Sequence, residues 1–570
     1  MRRFSIILAA GLTVLAAAAQ PDTNAPAATS DTNGIATMAD TNAVAAPTVT
    51  NAGTATTPAN SAAAPMGANA PAAPMYTNAA SADTATNGRA MSLQDCIQEA
   101  LQHNLDVQIQ RYQPQISLYN VRAAYGGYDP TFTFSGQHSY SEQGLTIQNG
   151  QVIVPTTQTE NSFNSGLSGG TPWGMTYTLG GGNGINNPAF LSESYGQKSL
   201  GTFSTNFDSS SGAVGLSLQQ PLLKNFWIDQ TRLNIRLARN QLNSDEQGLR
   251  LQIITSVTAV ENAYYELIYA QENVKVQQEA LNLAETLLDQ DRQRVQIGTV
   301  AEHAGTIEQD EAQVAQSRAN LIAAQYTLVT GQNTLKSLLT DAYSQWHGAD
   351  IQPTVPLTAP PQSFDLQGSW KRGMTERPDL IQKQLLVERQ GIQLKFDHNQ
   401  LYPEVDLVGS YGFNGDGKEY SDVFSQINQG NRPFYSAGAQ LTIPLSNQGA
   451  RNTYKSDKVT LQQLLLKLKQ FEQNVLVEID NAVKNAESTY QSVDASQQAR
   501  IYAEAALDAE QKKYAVGKST TFTVLQLQNN LTAARSQEIR ALANYNQALA
   551  NLAQQEGSTL ERDRIDIQVK

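Results

Sequence analysis

Between about Gln230 and Ile297 the chain contains no proline, and Ile253, Val257, Val260, Tyr264 and Leu267 step by 4, 3, 4, 3. A second run, Leu476, Ile479, Val483, Ala486, Tyr490 and Val493, steps by 3, 4, 3, 4, 3. Such heptad spacing predicts helices packed side by side along a seam. At 1.5 Å per residue, about 65 residues would reach on the order of 100 Å, longer than a globular core requires. Each run ends at a glycine, Gly298 or Gly517, and then returns; Leu321, Leu328 and Leu335 are seven apart. Glycine suits a left-handed helix stop and a following hydroxyl suits the next N-cap. The pattern therefore predicts two long helical hairpins with tips at Gly298-Thr299 and Gly517-Lys518-Ser519-Thr520.

Elsewhere the period changes from helical to alternating. TFTFSGQHSY follows Pro130, EVDLVGSYGF follows Pro403, and AVGLSLQQP and SAGAQLTIP come later in each half. In the third of these Val214, Leu216 and Leu218 point one way, with Gly215, Ser217 and Gln219 the other. Two strands per half are expected, four per chain, with Tyr140, Tyr411 and Phe413 near strand ends as an aromatic girdle. The halves also align with each other. Leu93, Asp106 and Pro130 fall on Leu366, Asp379 and Pro403 at an offset of 273, Pro221 on Pro444 at 223, and Arg232, Gly298 and Tyr326 on Arg451, Gly517 and Tyr545 at 219. One unit is thus expected twice in tandem, at 91–340 and 364–560, with a linker at 341–363 and a tail at 561–570. The first copy carries 50 extra residues, including SGLSGGTPWGMTYTLGGG, expected to lengthen its hairpin or add strands on its outer side.

The N-terminus, MRRFSIILAAGLTVLAAAAQ, reads as a signal peptide over 1–19. Residues 20–90 are Ala, Thr, Asn and Pro with almost no large apolar side chain, a composition that predicts a disordered tether. After the leader no apolar run reaches 18 residues, so a membrane role falls to the strands. Four strands alone would leave two edges open, which hydrocarbon does not tolerate, so closure requires more than one chain. The net charge of −13 argues against a nucleic-acid partner. Cys96, the single cysteine, lies on a helical apolar face as a small buried residue.

Candidate chemistry does not survive its context. Gly517-Lys518-Ser519-Thr520 imitates the end of a phosphate loop, but Lys512 stands where the first glycine belongs and no strand precedes it. Gly166-Leu167-Ser168-Gly169-Gly170 matches a hydrolase elbow only as a string. His103, His138, His303, His347 and His398 show no metal-ligand spacing. No catalytic, cofactor or metal residue is assigned, and no enzyme activity is expected.

The segments SLQDCIQEALQHN, LSLQQPLL, ERPDL, LYPEVDLVGSYG, LTIPLSNQGAR and KYAVGKSTTFTVLQLQNNLTAARSQEIRALANYNQALANL, in that order over about 91–560, resemble the TolC-like outer membrane efflux proteins. The resemblance implies a mixed α+β membrane fold. A homotrimer would form a twelve-stranded outer-membrane β-barrel, continued by a periplasmic α-helical barrel. It also implies a passive exit duct for efflux or type I secretion, fed by an inner-membrane transporter through a periplasmic adaptor that meets the tips. A stand-alone porin is the alternative, and a structural periplasmic coil the third class. In the family, aspartates just past the tips narrow the opening. The matching positions here are Ala304, Thr523 and Gln526, none acidic, and nearby Glu302, Glu308 and Asp310 are read as a solvated face.

Overall fold

The computed structural model describes residues 88–143, 146–148, 151–153, 156–180, 189–200, 203–297 and 306–565. The leader, nearly all of the 20–90 segment, and Gly298, Thr299, Glu302, His303 and Ala304 lie outside the described residues. The first half runs β1 (Arg89–Met91), α1 (Leu93–His103), α2 (Leu105–Tyr125), β2 (Thr131–Gln143), β3 (Thr146–Gln148), β4 (Gln151–Ile153), β5 (Thr156–Gly170), β6 (Thr176–Gly180), β7 (Ala189–Leu200), β8 (Phe203–Pro221), α3 (Gln230–Gln296) and α4 (Thr306–Leu339). The second runs α5 (Tyr343–Trp346), β9 (Ile351–Pro353), α6 (Leu366–Glu376), α7 (Pro378–Asn399), β10 (Glu404–Gly417), α8 (Tyr420–Gln429), β11 (Pro433–Thr442), α9 (Gln448–Ala515), α10 (Thr521–Glu556) and α11 (Thr559–Arg562). Matching helices have near-equal lengths: α1 and α6 have 11 residues each, and α3 and α9 have 67 and 68.

Local chemistry sets the boundaries. Ser92 and Asp95 form a reciprocal capping box at the start of α1. Asn104 ends α1 and caps α2 by accepting from the Val107 N–H at 3.1 Å, while its amide donates to the Leu338 carbonyl at 2.9 Å. Pro378 occupies the first turn of α7, where its missing N–H costs nothing. Arg89 and Ala90, expected in the tether, instead form β1, which pairs in parallel with β9 inside the expected linker. The pairing is held by the Arg89 N–H on the Asp350 carbonyl at 2.7 Å and by the Arg89 guanidinium 4.5 Å above the Trp346 ring.

The predicted seam is the core. Ile253, Val257, Val260, Tyr264 and Leu267 are all buried, packed with Leu335, Leu339, Ile97 and Cys96. Tyr264 carries a polar atom into that core and satisfies it: its hydroxyl donates to the Met91 carbonyl at 3.1 Å and accepts from the Thr354 N–H at 3.2 Å. In the second half Ile479, Val483, Ala486 and Val493 are likewise buried.

The helices pack side by side in a fixed order. Toward the strands α2 packs on α3, α3 on α7, and α7 on α9; toward the tips the order is α4, α3, α10, α9. The outer members keep apolar seams that stay exposed among the described residues. On α2, Leu105, Ile109, Tyr112, Ile116 and Tyr119 step by 4, 3, 4, 3 and are all exposed. On α4, Ile322, Tyr326 and Val329 are exposed; on α9, so are Val459, Leu466 and Tyr502.

The sheet corrects the expected four strands. Its order is β11-β10-β8-β6-β5-β2, with β7 between β5 and β8 beside β6. The extra residues of the first half therefore enter the middle of the sheet, between β2 and β8, rather than its outer side. Tyr411 is also not at a strand end: it lies mid-strand in β10, paired with Leu216 and Tyr435. Exposed aromatics at the helix-side end of the strands include Phe132 at the start of β2, Trp173 in the β5–β6 turn, Trp227, and Tyr402 just before β10.

Candidate functional site at the helical tips

The turn from α9 to α10 follows from three residues. Gly517 has φ +75°, a left-handed conformation that a side chain disfavours, and open space surrounds the place a Cβ would take. Its N–H bonds the Tyr514 carbonyl at 3.0 Å, and the Lys518 N–H bonds the Lys513 carbonyl at 2.9 Å, which together close the helix in a Schellman motif. Ser519 donates to Glu510 at 2.6 Å. Thr520 then caps α10, accepting from the Thr523 N–H at 3.4 Å. Lys518 and Thr520 are exposed at the extremity of the hairpin.

Of the expected aperture positions, Thr523 is half-buried, with its hydroxyl 2.9 Å from that of Thr520, and Gln526 is exposed and donates to Asn530 at 3.3 Å. Both are spent locally on α10. The structure gathers a different group just inside the tips. Asp291, near the end of α3, accepts hydrogen bonds from the Tyr514 hydroxyl and from Thr521 Oγ1, the latter at 2.7 Å. Tyr514 and Thr521 are themselves 2.9 Å apart. Arg294 stacks 4.1 Å above the Tyr514 ring and brings a guanidinium nitrogen 3.8 Å from the Asp291 carboxylate. Around them Leu287, Leu507, Val524, Leu525 and Leu531 exclude water.

Asp310, on α4, faces this cluster and is a correction. Expected on a solvated face, it is 1% exposed, whereas its neighbour Glu308 is exposed. Neither oxygen of Asp310 has a hydrogen-bond donor among the described residues. Desolvation, and then the adjacent Asp291 charge, push its carboxyl up to about 7. A proton on Asp310 lets it donate to Asp291; ionising both would place two negative charges side by side in an apolar shell. Burial also raises the Tyr514 phenol, followed by its bond to Asp291.

Sequence reasoning missed this cluster although a signal existed. Asp291 continues the buried series Leu281, Ala284, Leu288 at steps of 3, 4 and 3, and Asp310 precedes Ser317, Leu321 and Ala324 on the α4 seam. A carboxylate on a heptad seam is buried by geometry whatever its charge.

Elsewhere the ERPDL segment builds a second polar junction. Arg377 is 8% exposed and bonds both oxygens of Asp379 at 3.0 and 2.7 Å, together with Glu478 at 2.8 Å and Gln555 at 3.1 Å, tying α7 to α9 and α10. The Gly166–Gly170 string lies within β5, paired with β6 throughout and with β2 up to Ser168, without the strand-turn-helix of a nucleophile elbow.

Comparison with known proteins accords with this architecture. A family model described as outer membrane efflux protein matches residues 189–340 and 374–558. The outer membrane efflux protein BepC of Brucella suis biovar 1 (strain 1330) is 24% identical over 336 residues, 58% of this chain and 68% of that protein. The fold is similar to that of the Campylobacter jejuni CmeC outer membrane channel, at TM-score 0.58 and 14% identity over 82% of this chain and 86% of that one. It is also similar to the outer membrane protein VceC of Vibrio cholerae, at TM-score 0.58 and 18% identity over 82% and 96%.

Proposed function

The chain belongs to the outer membrane efflux protein family and is an outer-membrane exit duct with a large periplasmic portion, and we propose that three copies form that duct as a closed ring. The observation that carries the proposal is the agreement of edges. At one side of the chain lie β2, α2 and α4; at the other lie β11 and α9. Sheet and helices are open along the same two borders, and both borders of the helical layer bear exposed apolar seams. A head-to-tail contact of one border with the other buries these seams, pairs the sheet edges and closes by rotation. The family resemblance supplies the number three. The near-equal lengths of matching helices support the tandem duplication.

In this reading the strands cross the outer membrane and the helices form a periplasmic tube. The tips, Gly298-Thr299 and Gly517-Lys518-Ser519-Thr520, face a periplasmic adaptor and an inner-membrane transporter. Ala304, Thr523 and Gln526 surround an uncharged opening. The family is one of channels, and the chain conducts substrate without chemistry on it. A stand-alone porin would have no use for hairpins of this length.

Native mass spectrometry of the full chain from detergent micelles should give three copies. Removal of the gene should sensitise cells to exported compounds, and the gene should restore resistance only alongside a transporter and adaptor. A single-copy mass, or restoration without those partners, would favour the porin.

A further inference from the structure

The structure assigns six membrane-crossing strand positions to each chain, and we infer that three copies close an eighteen-stranded barrel rather than a twelve-stranded one. The inference rests on the three-copy duct proposed above and concerns what the inserted residues of the first half do within it.

β6 and β7 are two parts of one strand position. On β5, Gly166 pairs with Gly180 at the end of β6, and the next residue, Ser165, pairs with Ala189 at the start of β7. On β8, Gly215 pairs with Gly180 and Ala213 with Phe190. Their joint position separates β5 from β8, so the chain presents β2, β5, β6 with β7, β8, β10 and β11 side by side. The single-segment positions have 13, 15, 19, 14 and 10 residues, each long enough for the 9–11 or so that cross a bilayer at a tilt.

Side-chain chemistry places the inserted strands in lipid. Direct antiparallel partners share a face, and one unbroken row runs across all six positions: Phe132, Leu167, Leu179, Leu216, Tyr411, Tyr435. Every member is large and apolar or aromatic, and Leu179, in the insertion, is 50% exposed in the single chain beside Tyr411 at 55%. The next row, on the opposite face, is Thr133, Gly166, Gly180, Gly215, Gly412 and Phe434. Small residues there leave room for the Phe434 ring, whose edge lies 3.0 Å from where a Gly215 Cβ would stand. Strands standing above the membrane as an aqueous flap would have no use for the apolar row. At the outer end, α8 lies over the same apolar face: the Tyr420 hydroxyl donates to the Asn161 carbonyl at 3.1 Å and its ring meets Phe163. The β10–β11 hairpin therefore grips β5, which binds the insertion to the wall.

Barrel diameter grows roughly linearly with strand number, so eighteen strands give a bore about one and a half times that of twelve. The polar lumen then passes whatever the helical tube admits, and cargo size is limited at the tips rather than at the outer membrane.

The test is nitroxide labelling of the full chain in lipid vesicles, with Cys96→Ala as background and single cysteines at Leu179, Thr178 and Leu216. Collision with oxygen reports lipid, and collision with a nickel chelate reports water. Leu179→Cys should match Leu216→Cys in favouring oxygen several-fold, and Thr178→Cys should favour nickel. Nickel access at Leu179 equal to that at Thr178 would overturn the inference. For variants that fail to insert, electron cryo-microscopy of the unlabelled protein decides: eighteen strands uphold it and twelve refute it. Efflux and copy number are measured separately, so a failure of the duct reading shows there and not in the labelling.

Discussion

Tyr514, at the end of α9, donates a buried hydrogen bond to Asp291, at the end of α3, so one side-chain contact ties the second hairpin to the first within a turn or two of the tips. A bond between a hydroxyl and a carboxylate in an apolar shell is worth about 1.5–3 kcal/mol, more than an exposed one. Tyr514→Phe keeps the ring beneath Arg294 and removes only the donor. The hairpins should then separate more readily, and single-channel conductance in planar bilayers should rise. Tyr514→Phe channels that conduct like the parent would show that this contact does not restrain the opening.

Asp310 makes the same region sensitive to pH. Asp310 faces Asp291 of α3, which in turn meets Arg294 of α3, Tyr514 of α9 and Thr521 of α10. Its folded-state pKa is raised from 3.8 to about 7. The native state therefore holds a proton that the unfolded chain releases above about pH 4, and the contribution is lost as pH rises through about 7. The protection of amides in 285–297 and 510–525, taken relative to the intrinsic exchange rate at each pH, should fall between pH 5 and pH 8. Asp310→Asn supplies a permanent donor to Asp291 and should flatten that dependence. An unchanged pH profile in this variant would assign the sensitivity elsewhere.

Arg377 offers a stability test remote from the tips. It is nearly buried and meets Asp379, Glu478 and Gln555 at once. Glu478 is 47% exposed and Asp379 22%, so the carboxylates left behind when Arg377 is removed remain partly hydrated, and the cost falls below the roughly 3–5 kcal/mol of a fully buried pair. Arg377→Ala should lower the thermal midpoint of the full chain by several degrees, and Arg377→Lys should recover only part, because an ammonium cannot form the two-toothed contact with Asp379. Equal midpoints for the alanine variant and the parent would mean the cluster adds nothing net.

The helical seams were legible because Ile253 to Leu267 and Ile479 to Val493 repeat a spacing that only packed helices use. The sheet was less so. Leu167 and Leu179 lie among SGLSGG and TYTLGGG, where glycines such as Gly166 and Gly180 on the opposite face obscure the alternation. Aligned positions also diverge in burial. Tyr326 and Tyr545 correspond in the repeat, yet Tyr326 is 71% exposed and Tyr545 fully buried. The cause is position in the layer: α4 borders it, while α10 is enclosed by α3 and α9. A repeat unit fixes the element, and its neighbours fix the burial. Charge misled in the same way, since Asp310 reads as solvated until its place on the seam is known.

The tip turn gives the most direct test of docking. Gly517 is left-handed with open space around it, so a substitution there acts on the backbone and touches no neighbour. A β-branched residue resists that conformation by about 1–2 kcal/mol, whereas asparagine tolerates it. Gly517→Val should distort the turn that presents Lys518 and Thr520, and Gly517→Asn should preserve it. Transport in cells, read as resistance to exported compounds, should fall several-fold in the valine variant and stay near the parent in the asparagine variant. Copy number and outer-membrane insertion should be the same in all three, because the strands and seams are far from the change. If the valine variant transports as well as the parent, the adaptor does not read this turn. If both variants fail alike, side-chain bulk at the tip matters rather than its backbone.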